Sequence, residues 1–211
     1  LFPYTTLFRS KTLNKLMLVV FSSIALLGIT SCNLDNNNNK EGLTPAEVKA
    51  AFNSVKGNYT GKVFFNKLND NMSILEKDSL PVSVTINTDS TLIIKNLPLK
   101  VLTGQLEDKD LKSAIESLGT TDVLCYIAFI DNDPITLLVN PTPLSLNINY
   151  KGKTQTFKTG FFINNRNSLA QLSGRDRLAI QIIQFGSMYL DEKLITSRAN
   201  NSAIFLKLER R

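Results

Sequence analysis

Between Leu144 and Tyr150 the chain reads Leu-Ser-Leu-Asn-Ile-Asn-Tyr, apolar and polar side chains in strict alternation. Successive side chains of an extended strand point to opposite faces, so this stretch can bury one face and wet the other only as a strand. The pattern recurs along the chain. Val82, Val84 and Ile86 alternate with Ser83, Thr85 and Asn87, and Asp89-Ser90 turns the chain into Thr-Leu-Ile-Ile-Lys-Asn. Lys151-Gly152-Lys153 reads as a hairpin turn into residues 154–163, and residues 177–185 and 203–209 complete some eight or nine strands. Residues 122–130, Asp-Val-Leu-Cys-Tyr-Ile-Ala-Phe-Ile, are apolar at almost every position and are expected to form a strand covered on both faces.

Two segments change period. Thr44-Pro45-Ala46-Glu47 is a capping box with Pro at the first helical position, followed by Val48, Ala51, Phe52 and Val55 at helical spacing and by Gly57. Asp108 or Asp110 caps a second helix, with Leu111, Ala114, Ile115 and Leu118 on one stripe and Gly119 after it. The 168 residues from Thr44 fit a single domain, 44–211. The expected class is α+β: mostly antiparallel β, closed or nearly closed into a barrel or sandwich, with two short amphipathic helices.

The first 43 residues are of another kind. Leu1–Ser10 resembles the translation of a sequencing adapter, and residues 1–10 are read as an artefact to be excluded from fold reasoning. Residues 11–31 read as a signal peptide: Lys11 and Lys15, then fourteen uncharged residues from Leu16 to Ile29, too few for a spanning helix. Ile29-Thr30-Ser31-Cys32 resembles a bacterial lipobox, which implies cleavage before Cys32 and a lipidated sulfur there. More than one acyl chain gives stable anchoring, since each buried CH₂ contributes about 0.8 kcal/mol. Residues 32–43 are then the lipidated Cys and an Asn-rich tether with a random-coil reach of about 18–20 Å.

The lipobox, the tether, the helix from Leu43 running into Asn58-Tyr59-Thr60-Gly61-Lys62, and the stretch 88–102 together resemble an uncharacterised family of Bacteroidetes lipoproteins defined by a domain of unknown function. Gly57-Asn58-Tyr59-Thr60-Gly61 also resembles the Gly-x-Tyr-x-Gly strand entry of calycin-like barrels. These resemblances imply an outer-membrane lipoprotein and name no activity.

The chemistry-bearing residues are sparse. There is no histidine, which removes the commonest general base and zinc ligand. With Cys32 taken by lipid, Cys125 is the remaining thiol, and its apolar surroundings read as core. Asp131-Asn132-Asp133-Pro134 is a candidate metal loop through Asp131 and Asp133, but it lacks the further oxygens of a calcium site and reads as a turn. Without Arg9, Lys11 and Lys15, 21 basic residues stand against 18 acidic ones, scattered rather than clustered, so nucleic acid is rejected as a partner. Asp78-Ser79-Leu80 and Asp89-Ser90-Thr91 fit a short O-glycosylation sequon, and Arg175 and Arg177 could grip an anion, although a solvated loop is the plainer reading.

The resulting expectation is a non-catalytic envelope lipoprotein without cofactor, anchored to the membrane, with a protein or glycan ligand. The alternatives are a carboxylate-based glycan hydrolase and a structural or assembly lipoprotein with no small ligand.

Overall fold

The computed structural model of the protein describes residues 42–68, 74–195 and 201–211, with the side chains of 66–77 left aside. Cys32 and the lipobox, signal peptide and tether expected from the sequence, as far as residue 41, lie outside the described residues. Gly42–Arg211 forms one compact unit.

Helix α1 (Pro45–Val55) leads into strands β1 (Gly57–Leu68), β2 (Ile74–Ile86) and β3 (Thr91–Pro98). A 3₁₀ turn (Leu99–Leu102) and helix α2 (Lys109–Glu116) follow. Next come β4 (Thr120–Asn132), β5 (Ile135–Pro141), β6 (Leu144–Tyr150), β7 (Lys153–Phe161), β8 (Leu169–Ser173), β9 (Arg177–Leu190), β10 (Lys193–Leu194) and β11 (Ser202–Arg210). All pairings are antiparallel. The order β11-β1-β2-β3-β4-β5-β8-β9 closes on itself because β11 also pairs β9, giving an eight-stranded barrel.

Register carries the period-two pattern around the ring. Val63 lies opposite Leu206, Leu206 opposite Ile180, Ile180 opposite Ala170 and Ala170 opposite Leu137. Val84 faces Ile94, and Ile94 faces Val123. Each of these side chains is buried, so the interior is packed with apolar groups.

Strand β9 outlasts the barrel. Its first part pairs β8 and β11, while residues 184–190 pair β7, which pairs β6. With β10 this makes a second, open sheet. One face of it buries Leu144, Ile148, Tyr150, Phe157, Phe161 and Met188 among Leu99, Leu102, Leu111 and Ile115 of the 3₁₀ turn and α2. The other face exposes Ser145, Asn147, Asn149 and Thr154.

Both caps behave as their sequences predict. Thr44 Oγ1 accepts from the Glu47 amide, the Glu47 carboxylate accepts from the Thr44 amide, and Asp108, not Asp110, caps α2 through the Leu111 amide. Helix α2 ends at Glu116, so Leu118 falls beyond it and is exposed rather than on the buried stripe. The expected two-sided cover of 122–130 is also corrected. Val123, Cys125, Ile127 and the partly buried Phe129 face the core, while Leu124, Tyr126 and Ile130 are exposed, because none of the described elements covers that side of β4 there. The Asn- and Asp-rich run 66–73 reads as a polar loop from its composition, whereas β1 continues through its first three residues to Leu68.

Candidate functional site

The Gly57-x-Tyr59-x-Gly61 stretch shows how the barrel is sealed. Gly57 has φ 144°, a backbone that side chains rarely adopt. A β-carbon on Gly61 would come within 2.0 Å of the Lys207 carbonyl oxygen, so β1 and β11 meet there only because Gly61 has none. Tyr59 is fully buried and donates its hydroxyl to the Val55 carbonyl at 2.7 Å. Arg210, on β11, lies over the Tyr59 ring at 5.3 Å, donates to its hydroxyl at 2.7 Å, and also donates to the Ser54 carbonyl. The guanidinium thus caps the C-terminal end of α1, which has no basic residue in its own last turn. Burial pushes the Tyr59 phenol up, with Arg210 pulling the other way.

The barrel interior is packed with apolar side chains, and a recess lies beside it at the β2–β3 edge. Strands β2 and β3 pair only at Ser83–Thr85 with Ile93–Lys95. Beyond that, β3 bulges at Lys95-Asn96, where Asn96 takes φ 55° and its amide donates to the Asp122 carboxylate at 2.9 Å. The strand then follows β4 and leaves β2 behind. The divergence opens a groove of about 730 Å³ between Leu80-Pro81-Val82 of β2 and Asn96 and Pro98 of β3, reaching Thr120 at the start of β4. Asn58, Thr60, Ser83 and Thr85 also line it, together with Lys95 and Arg211. Thr85 donates to the Asn58 side chain at 2.9 Å, and Arg211 donates to the Thr60 hydroxyl at 3.3 Å. The volume falls within the range of small-ligand sites, and the lining combines apolar walls with a few convergent polar groups. A smaller depression of about 530 Å³ lies against α1, lined by Leu43, Val48, Lys49, Phe52 and Asp89.

The residues singled out in the sequence lie elsewhere. Asp131 sits at the end of β4, opposite Thr136, with its Oδ1 accepting from the amides of Asn132 and Asp133 where the chain turns into β5. Among the described residues no group of three or more His, Cys, Asp or Glu could hold a metal. Cys125 is fully buried, and burial pushes its thiol far above the ordinary range. Asp108 is occupied by the Tyr150 hydroxyl at 2.5 Å and the Leu111 amide at 2.9 Å, which hold its carboxyl below the usual range. Asp191, a further carboxylate outside the groove, accepts from the Thr156 amide at 2.8 Å and from Gln155 at 2.9 Å, with the same effect. Arg175 and Arg177 flank the β8–β9 turn, Ser79 is paired within β2, and Ser90 is exposed at the β2–β3 turn. The groove was missed because it arises where two strands stop pairing. An Asn followed shortly by a Pro in an apolar strand was its only trace.

The match to known families runs from residue 54 to 190, from the last turn of α1 to the end of β9. The chain belongs to the DUF4840 family, a domain of unknown function. No curated protein and no solved structure gives a match. The DUF4840 match contains every groove residue named above except Arg211, and it stops short of β11, the strand that closes the barrel.

Proposed function

We propose that this DUF4840 protein is a non-catalytic lipoprotein of the outer membrane, held through lipid on Cys32, whose barrel binds an elongated anionic ligand or partner segment in the β2–β3 groove. The groove supports the binding half of this reading. Lys95 and Arg211 both line it, and neither is in an ion pair among the described residues. Two cations beside apolar walls attract an anionic chain and reward its apolar edges. The signal-like run and the Ile29–Cys32 lipobox support the anchoring half.

The test has two arms. Cells expressing the full chain are fed an alkyne-tagged palmitate, and the tag is expected on the wild type and absent from Cys32→Ala; a tag that survives this change removes the anchor. The detergent-solubilised full chain is then passed over heparin, a stand-in polyanion, and over neutral dextran. Retention on heparin alone, lost in Lys95→Glu with Arg211→Glu, is expected. Equal retention of the double variant removes the groove.

A further inference from the structure

Several strand edges lack a neighbour among the described residues, and most are short or blunted, as two of them show. From Ile74 to Val82, β2 has no partner on its β3 side, but it carries Glu76, Lys77 and Asp78 in sequence and a proline at 81. Strand β10 is two residues long and begins with a lysine. Short edges, charges and prolines are how sheets avoid pairing with other chains. Strand β6 has none of these. It ends the sheet, and from Leu144 to Tyr150 it contains no charge, no proline and no bulge.

The direction of its free hydrogen-bonding groups can be read from its neighbour. The Thr156 amide donates to Asp191 Oδ1 at 2.8 Å, and the Thr156 carbonyl accepts from the Asp191 amide at 3.0 Å, so both backbone groups point toward β9. Thr156 lies opposite Asn147, and that pair is therefore not hydrogen-bonded across β6–β7. Asn147 must then aim its own N–H and C=O away from β7, and Ser145 and Asn149 do the same by alternation. All three residues are exposed.

We infer that β6 is a homodimerisation edge, pairing antiparallel with β6 of a second copy about a two-fold axis through Asn147. The occupant follows from the strand's self-complementarity. In this register Asn147 meets Asn147, Ser145 meets Asn149, Leu146 meets Ile148 and Leu144 meets Tyr150. Every polar residue meets a polar one and every apolar residue an apolar one, with no charge on either strand. The two open sheets become one continuous sheet whose apolar face is covered by α2 of each copy. The inference is independent of the groove.

The experiment uses the full chain in its own membranes, with the parent chain as control for Cys32 and Cys125. Across such a pair the Cα atoms of the two Asn147 residues stand about 5.5 Å apart, within disulfide reach. Mild oxidation is expected to cross-link Asn147→Cys to itself, and to cross-link Ser145→Cys to Asn149→Cys when the two are co-expressed. Neither Ser145→Cys nor Asn149→Cys alone should rise above the parent. Absence of the Asn147→Cys dimer, or equal cross-linking by Ser145→Cys alone, overturns the inference. Asn147→Pro supplies the second reading: its lost N–H serves no β7 bond, so the fold survives, and light scattering of the detergent-solubilised full chain should show the molar mass of the protein component halved relative to wild type. An unchanged mass also overturns it.

Discussion

The barrel and the side sheet are built from the same alternating strands, and they solve the problem of unpaired edges in opposite ways. The barrel closes, so each of its strands finds a neighbour on both sides for at least part of its length. The side sheet stays open. It borrows the second half of β9, lays a 3₁₀ turn and an eight-residue helix over one face, and leaves the other to water. Closure concentrates stability in side chains. The open sheet adds a few polar staples to its buried apolar face: Asp108 with Tyr150, Thr103 with Glu116, and Gln184 with the Leu102 carbonyl.

The sharpest way to break this contrast is to truncate one leucine in each region. Leu137→Ala, fully buried in the barrel, should cost about 2–5 kcal/mol by denaturant titration. Leu146→Ala, partly buried in the side sheet, should cost clearly less. Equal costs would mean that the two regions share one core in energetic terms. Next in size is Gln184→Leu at their junction. The native amide donates to the Leu102 carbonyl at 3.0 Å and to the Thr159 hydroxyl at 3.1 Å, and stranding those buried partners should cost about 1–3 kcal/mol in the same titration. If amide exchange then rises in α2 but not in the barrel strands, the side sheet opens separately.

Arg210→Met should cost about 1–2 kcal/mol by losing the cap on α1, and the Tyr59 hydroxyl keeps its bond to Val55. A loss above that range would make the seam, not the interior, the barrel's weak point. The smallest effect is confined to acid. The Asp108 carboxyl is held below its unfolded value near 3.8, so its contribution is complete above that value and lost as pH falls through the lower folded one. Amide exchange in α2 should therefore accelerate at that acid edge before exchange in the barrel does, and Asp108→Asn should remove the pH dependence.

Much of the fold was legible because alternation and capping are local. Val82-x-Val84-x-Ile86, the 144–150 stretch, Thr44 and Asp108 each declare their element within a few residues. Strand β8 was not legible, since five residues with a single turn signal carry too little period. The outward apolar residues of β4 misled for a physical reason: a both-faced apolar strand implies cover, but Leu124, Tyr126 and Ile130 stand exposed. The groove and the Arg210 cap were invisible because each depends on partners far apart in the chain, Arg210 and Tyr59 by 151 residues.

That separation bears on how the molecule comes to exist. The strand that seals β1 to β9 is the last described element to leave the ribosome, and Gly61 waits for Lys207 until then. Until β11 arrives, the nascent chain is an open sheet with two raw margins, the condition under which slow, non-local β topologies are most exposed to capture by other chains. A message cut short before Ser202 would leave it there permanently. Quality control of this protein is thus a matter of strand β11, and a copy lacking it should fail as an aggregate rather than as a looser barrel.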